Sequence, residues 1–479
     1  MRVAIIGAGM AGILSAIKLT EAGFTDVTVY EKADRLGGTW RENTYPGIAC
    51  DVPSHLYSYS FHLNPDWSHP FSPGHEIQAY LEEVARDHRV DSLIRFDEEV
   101  TSCRWSDRRW HLDTAGGTHD VADFVIAATG VLHHPNYPDI KGVDAFGGSL
   151  FHSSRWDHGV TLEGARVGII GTGSTAVQLV SAVVGPAQKL SLFQRTAQWI
   201  MPQENPPYRE EERAEWGRNP AKLQHLHQSL SELFTNFANG IVDAGSPEMA
   251  MIADLCRQNL ETKVTDPVLR ERLRPNYRAA CKRLVISPNF YESLQRDNAE
   301  LVTEPIDHIE AAGIRTVDGR LHELDVVVLA TGFKVDAFMR PMSVIGRHGQ
   351  DLAEVWADRP NAYLSISIPE FPNFAMVNGP NGPVGNFSLI EVAEMQVGYI
   401  LQLIDRVDSG RCREISVTQT ATDRFEAQRV EAAANTIWST GCQSWYLDDR
   451  GIPATWPWTF GRFSAEMERP KLDAFDQRP

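Results

Sequence analysis

The stretch Val3-Ala4-Ile5-Ile6-Gly7-Ala8-Gly9-Met10-Ala11-Gly12-Ile13-Leu14 decides how the chain begins. Val3 to Ile6 read as a buried strand, Gly7 to Gly12 as a turn, and Ile13 to Glu21 carry helical spacing with Gly23 near their end. Val27 to Tyr30 form a second buried strand, so the segment opens a parallel α/β sheet. In a Gly-x-Gly-x-x-Gly turn the first glycine permits the tight bend and the second admits a pyrophosphate to the backbone. The third lets helix and strand pack closely. The helix N-terminus then presents free N–H groups and a partial positive charge to phosphates. Glu31, at the end of the second strand, can accept hydrogen bonds from ribose hydroxyls. Gly7, Gly9, Gly12 and Glu31 predict a dinucleotide site.

The pattern returns downstream. Arg166 to Ile170 read as a strand, Gly171-Thr172-Gly173-Ser174-Thr175-Ala176 as a Gly-x-Gly-x-x-Ala turn, Val177 to Val184 as a helix and Leu190 to Phe193 as a strand. Two copies of one nucleotide-binding unit imply two different nucleotides. The second copy ends in Gln194-Arg195-Thr196 rather than an acid. A carboxylate there would repel a 2′-phosphate, whereas a guanidinium forks onto one with two charge-assisted bonds. The natural allocation is FAD in the first unit and NADPH in the second.

The predicted fold class is α/β, with two Rossmann-like dinucleotide-binding domains. Residues 1–155 form the first part of the FAD domain and 156–332 the NADP domain. Glu, Arg, Leu and Gln at helical spacing mark a helical insertion at about 206–275. Residues 333–479 return to the FAD domain and include a C-terminal segment. The stretch Pro369 to Gly385 is rich in Pro, Gly and Asn, a helix is expected from Leu389 to about Val407, and the polar tail from Glu466 reads as loosely ordered or laid over the surface.

With 479 residues, 42% hydrophobic and 23% charged, the composition is that of a globular protein of two or three domains. A net charge of −18 argues against a nucleic-acid partner held by counterion release. No apolar run approaches the ~18 residues of a membrane span, and the N-terminus lacks the layout of a signal peptide. A cytoplasmic location is the expectation. Cysteines 50, 103, 256, 281, 412 and 442 include no Cys-x-x-Cys pair, which disfavours a disulfide framework, a zinc ribbon and a dithiol redox centre. His225 and His227 point to different sides of a helix and His133-His134 has no ligand at suitable spacing, so no metal is expected.

Two further motifs carry a resemblance. Phe146-x-Gly148-x-x-x-His152-x-x-x-Trp156-Asp157 resembles the fingerprint of type I Baeyer–Villiger monooxygenases, which takes Trp followed by Pro or Asp at its end. Gly37-Gly38-x-Trp40, Tyr45-Pro46-Gly47 and Asp51 resemble a second motif of that family. The resemblance covers the chain to about residue 400. It implies FAD and NADPH as cofactors, O2 and a small ketone as reactants, and an ester or lactone as product. NADPH reduces the flavin, O2 gives a C4a-peroxyflavin, the peroxide adds to the carbonyl, and a carbon group migrates to oxygen.

The resemblance also assigns residues. Gly38, Thr39, Trp40, Tyr57 and Val100 match positions lining FAD, with Leu389 as a weaker candidate near the loop that Gly379-Pro380 begin. Asp51 orients the active-site arginine, which corresponds to Arg283 in Cys281-Lys282-Arg283-Leu284. A guanidinium can stabilise both a peroxide anion and the following oxyanion without losing a proton. Lys282 is expected on the NADPH 2′-phosphate or ribose, alongside Arg195 and Thr196. His152 and Trp156 lie between the two units and could couple cofactor binding to domain movement. Ala128-Thr129-Gly130 and Ala330-Thr331-Gly332 resemble the crossings between domains. The aromatic segment Trp438 to Phe460 could cover NADPH or substrate, or simply form core. Oxygenation of sulfur or nitrogen by the same intermediate is the close alternative. An NADPH-dependent disulfide reductase and a non-catalytic flavin sensor are the readings from other classes.

Overall fold

The computed structural model describes residues 1–383 and 387–479. The end of the Pro369–Gly385 stretch, at Gly385, therefore lies outside the described residues.

Two parallel five-stranded sheets organise the chain. The first runs Phe374–Met376, Phe124–Ala127, Arg2–Ile6, Asp26–Tyr30 and Ile94–Arg95 in spatial order. The second runs Ala299–Val302, Lys189–Phe193, Arg166–Ile170, Val326–Leu329 and Ser149–His152. The inner strands Phe124–Ala127, Arg2–Ile6, Arg166–Ile170 and Val326–Leu329 are largely apolar and buried because both faces are covered. On one side of the first sheet, helices Met10–Glu21 and Leu389–Asp408 share its hydrophobic core. On the other, a four-stranded sheet led by Val100–Ser106 and Arg109–Thr114 packs Val100, Trp110 and Leu112 against Ala4, Ile6 and Tyr30.

The two glycine turns are near copies. Gly7 and Gly171 take φ of +101° and +125°, and a Cβ on either would stand 2.6 or 2.3 Å from a backbone oxygen, that of Ala128 or Ala330. Each first glycine is thus pressed against the alanine of an Ala-Thr-Gly crossing. Both helices start earlier than their periodicity suggests, at Met10 and Ser174 rather than Ile13 and Val177. The reason is that the motif's last position belongs to the first helical turn: a Cβ on Gly12 would fall 1.8 Å from the Gly7 oxygen.

The insertion consists of helices Glu210–Arg218, Pro220–Ile241, Pro247–Lys263 and Pro267–Arg272. The last three begin with proline after a capping Asn219, Ser246 or Asp266, whose side chain accepts a first-turn N–H. The edge strand Ser149–His152 of the second sheet precedes the boundary drawn at 155/156, so the second unit takes in residues ahead of it. The two crossings run side by side: Asn136 N donates to Gly332 O at 2.8 Å, and Thr331 Oγ1 donates to Asn136 O at 2.6 Å. The tail is ordered, since Phe475–Arg478 pairs antiparallel with Glu414–Val417. Among the described residues, no helix is long and apolar enough to cross a membrane.

One expectation is overturned. Cys281 and Cys442, 161 residues apart, form a disulfide with a Cα–Cα distance of 6.1 Å. Pairing depends on proximity in space, and cysteine spacing along this chain carried no trace of it.

Candidate active site

At the first turn, the space over the helix N-terminus suits a pyrophosphate. A Cβ on Gly9 would meet only Gly38, at 3.5 Å, and the Gly38 backbone closes the far side. Gly38, with φ of +55°, precedes the short helix Thr39–Glu42, on which Thr39 is exposed. The buried Glu31 accepts from Ala8 N at 2.8 Å, Ala33 N at 3.0 Å and Arg41 Nη1 at 2.8 Å. Its carboxylate is therefore fixed beside the turn. Val100 lies beneath, packed with Ile6 and Tyr30.

Arg41 and its neighbour continue the network toward the second unit. Arg41 Nη2 donates to Glu42 Oε1 and Arg155 Nη1 to Glu42 Oε2, both at 2.7 Å. Arg155 belongs to the fingerprint segment, so four charged side chains link the Glu31 position to the strand entering the NADP unit. Only Glu31 of the four stood out in sequence. The others fall at positions that the two motifs leave unspecified.

At the second turn nothing among the described residues stands within 4 Å of a Cβ placed on Gly173, and the Ser174–Val183 helix carries Ser174, Thr175 and Ala176 in its first turn. Thr172 Oγ1 donates to the Thr196 carbonyl at 2.7 Å, tying the glycine turn to the end of the next strand. Arg195 is exposed there. Lys282, whose ammonium lies over the Tyr277 ring at 4.8 Å, is close enough to feel that cation: burial first, then the charge of Arg195, lowers its pKa. Two cations that repel one another in this way suit a phosphate placed between them.

Asp51 and Arg283 meet where the two units adjoin. Arg283 donates to Asp51 Oδ2 from Nε at 2.9 Å and from Nη2 at 2.6 Å. Burial works against the guanidinium charge, but Asp51 outweighs it and raises the arginine further above its ordinary range. The side chain still keeps about a third of its surface accessible, 32%, so it is free to touch a reactant. Asp51 follows the Tyr-Pro-Gly turn, whose function in the fold is now explicit. Tyr45 donates to Gln178 Oε1 at 2.8 Å, and a Cβ on Gly47 would stand 2.8 Å from the Gln178 backbone oxygen. The turn presses the FAD unit onto the NADP-unit helix, and Asp51 leaves from that contact. Trp40 Nε1 donates to the hydroxyl of the half-buried Tyr57 at 3.2 Å, with the rings edge to face.

The fingerprint residues build the junction. A Cβ on Gly148 would collide with Asp325 O at 2.2 Å and with the Phe146 ring at 2.9 Å, which explains their pairing. His152 is buried and lowered in pKa by that burial. Its Nδ1 accepts from Ser154 N, so Nε2 carries the proton and donates to Gly332 O at 3.0 Å. It therefore ties the edge strand to the crossing. Trp156 packs edge-on against Phe151, and Asp157 Oδ1 caps a turn by accepting from Gly159 N. Leu389 stands apart, half-buried at the start of its helix. His62, Glu83 and Asp87, none singled out in sequence, bring ligand atoms within 4.8 Å of one another near the surface.

Two open glycine turns, an acid after one and cations after the other, with an arginine–aspartate pair between, define a flavoprotein oxidoreductase of two dinucleotides. Residues 4–211 match the pyridine nucleotide-disulphide oxidoreductase family. Over nearly its whole length the chain resembles monooxygenases. It is 48% identical to an uncharacterised monooxygenase of Mycobacterium tuberculosis, covering 99% of this chain and 96% of that one. It is 38% identical to a Baeyer-Villiger monooxygenase of Streptomyces coelicolor, covering 98% and 92%. The solved complex of OTEMO with FAD and NADP superposes with a TM-score of 0.90 at 26% identity, over 100% of this chain and 99% of the other. The chain belongs to the Baeyer–Villiger monooxygenase family. It is an FAD- and NADPH-dependent monooxygenase, taking O2 and a small-molecule substrate.

Proposed function

We propose that the protein converts a ketone to an ester or lactone, and that Arg283 and Asp51 carry the chemistry of that step. The observation behind this reading is the two-bond contact of Arg283 with Asp51 beside the Trp40–Tyr57 pair, where the two nucleotide units meet. When bound, FAD takes a hydride from NADPH and activates O2 for transfer of one oxygen atom. Every other task falls to the chain. Gly7, Gly9, Gly12, Gly38 and Thr39 would hold the FAD pyrophosphate and Glu31 its ribose, with Trp40, Tyr57, Val100 and Asp51 as the further residues of the FAD site; Leu389, which stands apart, is the weaker candidate. Gly171 to Ala176 hold the NADPH pyrophosphate, while Arg195, Thr196 and Lys282 hold its 2′-phosphate.

Arg283 keeps a full positive charge at any working pH, so it stabilises the negative oxygen that develops on a carbonyl under attack. Asp51 fixes that guanidinium without needing to exchange a proton. NADP⁺ retained after the hydride transfer would shield the site from water, which limits wasteful loss of hydrogen peroxide.

The test assays purified holoenzyme with a ketone and a sulfide side by side, and repeats both with Arg283→Ala. The variant is expected to keep FAD and its reduction by NADPH while losing ester formation by about 100-fold or more, the scale of one oxyanion donor. Unchanged ester formation would overturn the assignment. Turnover of sulfide alone would move the reaction to heteroatom oxygenation.

A further inference from the structure

The C-terminal aromatic segment is fastened to the strip of chain that carries Arg283. Cys281 lies two residues before the arginine, and its disulfide partner Cys442 lies four residues before Tyr446. Both sulfurs, Trp438 and Tyr446 share one buried apolar cluster with Ile437. Tyr446 is 3% exposed, and its backbone is pinned in a hairpin: Ala454 N donates to its carbonyl at 2.7 Å, and its own N donates to Ser444 Oγ at 3.2 Å. The turn beyond is closed by Asp448, whose Oδ1 accepts from Arg450 N and Ile452 N at 3.0 and 2.9 Å. The ring of Trp438 lies 5.7 Å from that of Tyr446. Within this packing burial raises the phenol pKa, and the charge of the nearby Arg283 guanidinium lowers it.

We propose that Tyr446 is a positioning residue for Arg283, a second anchor beside Asp51, and that the Cys281–Cys442 disulfide seats it there. The idea rests on the role given to Arg283 above. An arginine held by one carboxylate oxygen can still rotate about that contact, and a buried phenol removes this freedom. A charge aimed at a developing oxyanion loses effect if it must reorganise during the reaction. The disulfide matters because the hairpin and the arginine strip are 161 residues apart in sequence and share no sheet. Its loss would leave no covalent tie between the hairpin and the arginine strip, only the packing of the shared cluster.

The experiment uses full-length holoenzyme and a ketone that it turns over. For Tyr446→Phe, flavin reduction by NADPH should be unchanged. The ester formed per NADPH should fall about tenfold, as for loss of one hydrogen bond to a charged group, with hydrogen peroxide rising to match. After mixing the NADPH-reduced enzyme with O2, the oxidised flavin spectrum should return sooner than in wild type. A purely structural residue would slow flavin reduction and lower FAD content together. Cys442→Ser should reproduce the same split. Treating wild type with a small dithiol, which passes two electrons and two protons to the disulfide and is itself oxidised to one, should do so reversibly, and the Cys442→Ser variant should not respond.

If Arg283→Ala abolishes ester formation but Tyr446→Phe leaves the ester-to-NADPH ratio intact, this proposal falls and the assignment of Arg283 survives. If Arg283→Ala is itself silent, both fall. Should Tyr446→Phe fail to hold FAD, the dithiol arm decides: an unchanged ratio once thiol titration shows the bond is open overturns the proposal.

Discussion

Arg283 places two of its N–H groups on a single oxygen of Asp51, across 232 residues of sequence. The carboxylate departs from the Tyr45-Pro46-Gly47 turn, which rests on the NADP-unit helix at Gln178. The arginine comes from the segment that follows the helical insertion. Neither unit alone could form the pair, so its geometry reports how the units are docked.

Replacing Asp51 with Asn should keep the side-chain volume but remove the charge that holds Arg283. Hydrogen bonds to a charged group are worth roughly 1.5–3 kcal/mol, so ester formation should drop by about ten- to a hundredfold. FAD content should persist, because Glu31, Arg41 and the glycine turn are untouched. Product analysis against NADPH consumption measures the drop. Full activity in Asp51→Asn would show that the arginine needs no such anchor.

Lys282 and Arg195 should set the preference for NADPH over NADH. Either cation removed should raise the KM for NADPH by about tenfold or more, one charge-assisted contact each, and barely alter that for NADH. Burial and then Arg195 lower the Lys282 pKa, so the charged form is lost at lower pH than for an ordinary lysine. The alkaline limb of kcat/KM for NADPH, which reports the free enzyme, should accordingly lie below the ordinary lysine range. Arg195→Ala should move that limb to higher pH even as overall affinity falls. A limb that stays put would mean the two cations do not share a site.

Much of this architecture was readable because its signals are local. Strand, glycine turn and helix adjoin in sequence, and a single side chain after the second strand separates the two nucleotides. The long-range items were not readable. Glu42 and Arg155 meet across 113 residues, and their pairing depends on how two domains dock. Cys281 and Cys442 lack any spacing rule, and Tyr446 was visible only as one member of an aromatic-rich tail. Apolar periodicity places both helix starts three residues late, because the last glycine or alanine of each turn motif already lies in the first helical turn.

Gly148 offers a sharp test of packing at the fingerprint. Its backbone conformation is open to any residue, so only space forbids a side chain. Alanine would place Cβ against the Asp325 carbonyl at 2.2 Å and the Phe146 ring at 2.9 Å. Overpacking of this kind costs about 1–3 kcal/mol, and adding Phe146→Ala should recover little, since the carbonyl cannot retreat as a ring can. Gly217→Ala, in the helix Glu210–Arg218 with nothing among the described residues within 4 Å of the added Cβ, is the neutral or mildly stabilising control. Thermal unfolding of the two variants should separate them, and equal melting would refute the steric account.

His55 predicts the acid limit of stability. Its ring is buried against Tyr208 and Trp216, with both nitrogens lacking a hydrogen-bond partner among the described residues. Burial, with a smaller push from His227, lowers its pKa to about 4. The unfolded chain takes up this proton near the ordinary value of 6.5, whereas the fold refuses it until about 4. The unfolded state therefore binds more protons in that window, and stability falls as the pH drops from 6.5 toward 4. One such histidine contributes up to roughly 3 kcal/mol at the lower end, at 1.36 kcal/mol per pH unit. His55→Phe keeps an aromatic ring between Tyr208 and Trp216 and removes the proton. Denaturant unfolding across this range should show a slope shallower by up to one proton in the variant. Parallel curves for the two proteins would mean that His55 is protonated, or solvated, within the fold.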